Sequence, residues 1–151
     1  MERIIPSETY RFIEAKLHGY EKINRKIEEW ELSVRHPENK QTISGAGYIS
    51  DPTANQAIKL ANPPGHIRKF MKWRVLIEQT QIFCRKRQKK SIFDIWYGQG
   101  WQTATQAYTR NGISKLTFKK NRDSAVSFLL FRAIDAGLCC LYNEKDKNSA
   151  I

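Results

Sequence analysis

The sequence predicts an all-α protein, and three observations carry that expectation. Glycine and proline are scarce, at 8 and 5 in 151 residues, whereas an all-β chain needs many turns. Apolar residues recur at three- and four-residue intervals through the longest uninterrupted stretches. Those stretches are bounded by residues that start and stop helices. A hydrophobic fraction of 40% supports one modest core, so the chain reads as one ordinary domain or a small domain with a helical arm.

The first element is a long amino-terminal helix. Ser7 is expected as its N-cap, with Glu8 in the first turn. From there to Val34 only Gly19 interrupts. Tyr10, Ile13, Leu17, Tyr20, Ile27 and Val34 form a narrow apolar seam, with Asn24 in the same rhythm. Such a seam pairs with one other helix. The partner is either a second copy, where a polar Asn fixes coiled-coil register, or another helix of the same chain in a hairpin.

Residues 35–56 contain two prolines, two glycines and many small polar residues, the composition of a loop or linker. Residues 53–60 suit a short helix, and a second break follows at 61–65. A second substantial helix is expected over 67–87, with Ile67, Phe70, Met71, Ile77 and Phe83 on its buried side. A short apolar helix is expected at 91–97. The predicted organisation is an amino-terminal helical arm (1–34), a linker with a short helix (35–66) and a carboxy-terminal domain (67–151).

Charge points to a partner. The chain carries 26 Lys and Arg against 15 Asp and Glu, a net +11. Ten of the basic residues (Arg85, Lys86, Arg87, Lys89, Lys90, Arg110, Lys115, Lys119, Lys120 and Arg122) fall between 85 and 122, opposed only by Asp94. A solvated face would also be basic, but clustering on this scale is what phosphate contacts require. Three cysteines, Cys84, Cys139 and Cys140, make no disulfide framework and fit a reducing cytosol. The amino terminus has no apolar core of a signal peptide. The apolar run 126–141 is interrupted by Ser127, Arg132 and Asp135, so no membrane role is expected.

Residues 101–138 hold the functional motif. Residues 101–108 suit a two-turn helix opened by Trp101, with Ala104 and Tyr108 on one face. Asn111-Gly112 closes a turn that needs positive φ, and Ile113 would plug the core beneath it. Ser114 then caps a helix able to run to Ala136. A short helix, a Gly-containing turn and a longer helix make a helix-turn-helix. Lys115, Thr117, Lys119, Lys120, Asn121 and Arg122 line the start of its second helix. These types hydrogen-bond base edges and phosphates. Leu116 and Phe118 accompany them. Ala125, Val126, Phe128, Leu129, Phe131, Ile134 and Leu138 are expected to form a buried end.

The chain resembles the RinA/ArpU family of phage-encoded transcriptional regulators. Three stretches carry the likeness: Tyr10-Arg-Phe-Ile-Glu-Ala-Lys-Leu-His-Gly-Tyr20, Ile49-Ser-Asp-Pro-Thr-Ala-Asn-Gln-Ala-Ile-Lys-Leu60, and Ile113-Ser-Lys-Leu-Thr-Phe-Lys-Lys-Asn-Arg-Asp123. Trp101 is similar to the Trp that opens the family's preceding helix. The turn before Ile113 is longer here, and Lys119 and Asn121 stand where the family commonly has aromatic residues. The resemblance implies a carboxy-terminal fold like region 4 of bacterial sigma factors. It also implies binding to phage promoter DNA and activation of late genes in the cytoplasm of a bacterial host. Double-stranded DNA is the expected partner, with host RNA polymerase and a second copy of the chain as further candidates.

An enzyme is not expected. His18, His36 and His66 lie far apart, no metal, phosphate-loop or nucleophile-elbow motif is present, and no cofactor is implied. A phage terminase small subunit is the alternative, because it too joins a helix-turn-helix to oligomerising helices. The segment beginning at Asp51 favours the regulator.

Overall fold

The computed structural model describes residues 5–36 and 52–139. Over these residues the chain forms seven helices and no strand. They are α1 (Ser7–His18), α2 (Tyr20–Arg35), α3 (Pro52–Ala61), α4 (Gly65–Arg87), α5 (Ile92–Ile95), α6 (Ala104–Arg110) and α7 (Lys115–Asp135). The protein is all-α, as its periodicity requires. Residues 37–51 of the expected loop or linker, the run Ile49 to Asp51 among them, and Cys140 lie outside the described residues.

The long amino-terminal helix exists as two segments. At Gly19 the amide still donates to the Ala15 carbonyl at 2.9 Å. A Cβ at this position would lie 2.9 Å from that same oxygen, so only glycine fits the bend. Pro6, not Ser7, occupies the cap position of α1, and Ser7 is the first helical residue with no side-chain cap bond. Pro6 sits at φ −56° and ψ 144°, extended backbone that leads straight into the first turn.

The seam of α1 and α2 is spent inside the molecule. Tyr10, Ile13, Leu17, Ile23 and Ile27 are buried in one core with Trp73, Ile77 and Cys84 of α4 and with Val126, Leu129 and Leu130 of α7. Residues 7–35 therefore pack as part of the main body and not as a detached arm. Ile23 joins the seam, while Asn24 and Tyr20 sit at its edge. The Tyr20 hydroxyl donates to Glu78 of α4 at 2.9 Å. The short helix α3 docks on α2, where the Gln56 amide donates to the Arg35 carbonyl at 3.0 Å.

Helices α4 and α7 form the central pair. Gln88 meets Asn121, Phe83 stacks on Phe128 with centroids 4.2 Å apart, and the start of α4 lies beside Ala136 to Leu138, so the two run antiparallel. The centre of α4's buried face is Trp73, Ile77, Thr80 and Cys84. Phe70, Met71 and Phe83, expected to be central, form its edges. Thr80 is tolerated there because its hydroxyl donates to the Leu76 carbonyl at 2.8 Å. Phe131 departs from the expected buried end of α7, being 61% exposed on the outer side.

Candidate nucleic-acid interface

The α6–turn–α7 unit is built by local chemistry. Thr103 caps α6 by accepting the Gln106 amide at 3.2 Å, so α6 starts later than expected and Trp101 precedes it, half-buried against the core. Ala107 is the fully buried residue of α6; Ala104 and Tyr108 are half-buried beside it. The turn closes when the Ile113 amide donates to the Tyr108 carbonyl at 3.0 Å. Gly112 supplies the required left-handed backbone, at φ +67°. Ile113 packs against the core beneath the turn. Ser114 caps α7, accepting the Thr117 amide at 3.1 Å and donating to the Thr117 hydroxyl at 2.9 Å.

Phe118 fixes α7 on the helices beneath it. It is 3% exposed, with Trp96 and Tyr108 ring centroids at 5.7 and 5.6 Å. With Phe118 turned inward, the opposite side of α7 faces solvent. Leu116, Lys120 and Ser124 follow one another at four-residue steps and are all exposed, with Thr117 and Lys119 exposed on either side. Leu116 is 77% exposed at the start of the stripe.

Both flanks of this stripe are held. On one side Gln88, at the end of α4, donates its amide to the Asn121 carbonyl at 3.1 Å, while its own carbonyl accepts the Ile92 amide at 2.9 Å. On the other side the Tyr10 hydroxyl of α1 donates to Asp123 at 2.7 Å. The α4–α5 corner is also tied to the turn of the motif, because Lys90 Nζ donates to the Asn111 carbonyl. These contacts gather Lys89, Lys90, Arg110, Lys115, Lys119 and Lys120 around the first half of α7.

Nine of the ten clustered basic residues are exposed; Arg122 is the exception. Its guanidinium grips the Glu14 carboxylate through Nε and through Nη2, the latter at 2.6 Å from Oε2. The bond to Glu14 holds Arg122 even more firmly protonated than usual. Arg122 therefore locks α7 to α1, and the structure turns its guanidinium to Glu14 where the sequence expectation had it on the outward, DNA-facing start of the helix. Position 122 falls on the Phe118 side of the helix, four residues on, where the charge is matched by Glu14 and not by solvent.

Tyr97 completes this polar cluster, its hydroxyl donating to Glu14 at 3.3 Å. Burial, then the adjacent carboxylate, pushes the Tyr97 phenol well above its ordinary value; burial and the Asp123 bond do the same to Tyr10. Both stay protonated donors across the physiological range. Arg85 lies 4.0 Å from Asp94 across the surface, so one cation at the end of α4 is partly neutralised. Arg87 lays its guanidinium over the Phe83 ring at 4.8 Å and stays exposed, as does Lys86.

Two contributors escaped sequence reasoning. Ser124 belongs to the exposed stripe by its four-residue spacing from Lys120, a signal present in the sequence. Gln88 is indistinguishable from any polar linker residue until its two hydrogen bonds are seen. Among the described residues no helix is long and apolar enough to cross a membrane, and no cluster of three His, Cys, Asp or Glu side chains is placed to hold a metal.

Comparison with models of known families, with curated proteins and with solved structures finds no match. Function therefore has to be argued from the interface itself.

Proposed function

We propose that this chain is a sequence-specific regulator of transcription that binds double-stranded DNA through α7 and acts without catalysis. The observation that carries the reading is the exposed stripe Leu116, Thr117, Lys120 and Ser124 on a firmly held helix, accompanied by the eight other exposed cations of the 85–120 cluster. A helix inserted into the major groove needs such an outward polar face, with cations beside it for the phosphates. Leu116 suits apolar contact with a thymine methyl.

The resemblance to the RinA/ArpU regulators extends the proposal to a phage late-gene activator working in a bacterial cytoplasm, with host RNA polymerase as a further partner. The terminase alternative needs helices free to oligomerise. The apolar seam of α1 and α2 is instead used in the chain's own core, which favours the regulator. Selecting fragments of the surrounding genome on the purified protein and footprinting them tests the proposal. Protection at a promoter is the expected result. Protection only at a packaging start, or no selected fragment at all, overturns it.

A further inference from the structure

A second cationic surface lies at the opposite end of α4. An open trough of about 520 Å³ between the first turns of α4 and the end of α7 is lined by His66, Arg68, Lys69 and Lys72. It runs into a hollow of about 230 Å³ that shares His66 and Lys69 and adds Lys16 of α1 over a floor of Phe70 and Trp73. Among the described residues no acidic side chain lines either part. Lys16 Nζ rests 5.2 Å from the Trp73 ring centroid, and its ammonium is pushed below its ordinary value by burial and by the Lys69 charge. Crowding cations without a carboxylate costs stability unless an anion is drawn in.

The placement of this trough is informative. Helix α4 has 23 residues and is about 35 Å long. Its far end is the Lys89–Lys90 corner beside the reading stripe. Along its length the only acid is Glu78, already bonded to Tyr20. The helix is thus a strut with cations at both ends, Lys69 and Lys86 standing about 26 Å apart along its axis, within one turn of duplex DNA (~34–36 Å). The open, solvent-facing trough suits a polymer of evenly spaced charges better than an enclosed small molecule.

We infer that the trough formed by Lys16, His66, Arg68, Lys69 and Lys72 is a second phosphodiester-binding surface, which holds DNA flanking the segment read by α7. The inference rests on the DNA-binding reading proposed above. Simultaneous contact at both ends of α4 would lengthen the stretch of duplex that the protein holds and add ion contacts outside the segment read by α7.

The test compares the full-length protein with an R68Q/K69Q/K72Q variant on duplexes of 12, 24 and 40 base pairs, across a salt series. All three side chains are exposed, so the fold is preserved, which circular dichroism checks. The wild type should bind the longer duplexes more tightly and with a steeper salt dependence. The variant should lose that gain, its slope on 40 base pairs falling by about 2 to 3, and should match the wild type on 12. Equal affinities at every length overturn the inference. Equal loss at every length also overturns it, because the trough would then belong to the primary interface. A variant unchanged on DNA that loses binding to poly-glutamate would instead assign the trough to an acidic protein. Failure of the wild type to bind any duplex would sink the parent reading, and is told apart by the K119Q/K120Q variant being equally inert.

Discussion

Arg122 of α7 and Glu14 of α1 form a two-pronged ion pair that fixes α7 to the amino-terminal segment, with Nη2 2.6 Å from Oε2. The Glu14 side chain is 10% exposed and that of Arg122 is 29% exposed. A pair so placed is worth little against an apolar replacement, but removing one partner strands the other charge. Glu14→Ala should destabilise the protein by about 2 kcal/mol, below the ~3–5 kcal/mol of a fully buried pair because water still reaches Arg122. The double variant E14L/R122L should recover most of that loss. Urea unfolding measures both, and a Glu14→Ala change under about 0.5 kcal/mol, typical of surface sites, would show that the pair is not structural.

The amino-terminal helices should be indispensable for folding. A detached arm could be deleted to leave a folded domain. Here Tyr10, Ile13, Leu17, Ile23 and Ile27 lie in the same core as α4 and α7. A chain lacking residues 1–35 should show no cooperative thermal transition and should expose Trp73, which is 2% exposed in the intact protein. A sharp melt with native tryptophan fluorescence would restore the arm.

Much of this was legible in the sequence, and the misses share a cause. The positions of Ser114, Gly112 and α4 follow from capping chemistry and period, which are local. The role of Arg122 is not local, because whether a cation faces solvent or a buried carboxylate depends on a residue more than a hundred positions away. Phe131 misleads for the converse reason. It is apolar, yet it falls on the outer face of α7 with Lys120 and Ser124, and hydropathy outweighed spacing in the expectation. Ser7 lost the cap position to Pro6, whose fixed backbone leads the chain into the first turn but supplies no side-chain acceptor.

The start of α7 should depend on its cap and on Gln88. Ser114→Ala removes the acceptor for the Thr117 amide and should cost about 1 kcal/mol, with Ser114→Asp restoring most of it. Gln88→Ala breaks two half-buried bonds, to Asn121 and from Ile92, and should cost about 1–2 kcal/mol. Both variants should bind DNA less well than their stability loss alone explains, since each loosens α7. Thermal melts beside binding isotherms separate the two effects, and wild-type stability in both variants would contradict the assigned bonds.

His18 gives a pH dependence. Its ring stands edge-on to Trp96 and Tyr97, with centroids 5.1 and 4.7 Å away. Burial lowers its folded value below the ordinary 6.5; Glu14 acts in the opposite sense and Arg122 reinforces the lowering. The unfolded chain therefore binds the proton more readily. His18's contribution is complete above pH 6.5 and is lost as pH falls through the folded value. The Tm of the wild type should fall on acidification below neutrality, and His18→Gln should flatten that part of the profile. Parallel profiles for the two proteins would remove His18 as the cause.

The central claim is that the outer stripe of α7 reads DNA, and one comparison tests it most directly. Leu116→Ala, Thr117→Ala, Lys120→Ala and Ser124→Ala are measured on a selected fragment and on its scrambled version at one salt concentration. A side chain that reads a base contributes about 1–3 kcal/mol of discrimination, so at least one variant should lose roughly tenfold or more in the ratio of specific to non-specific affinity. Arg122→Ala, by contrast, should lower stability and leave that ratio intact. If all four stripe variants keep the wild-type ratio while remaining folded, α7 is not the reader.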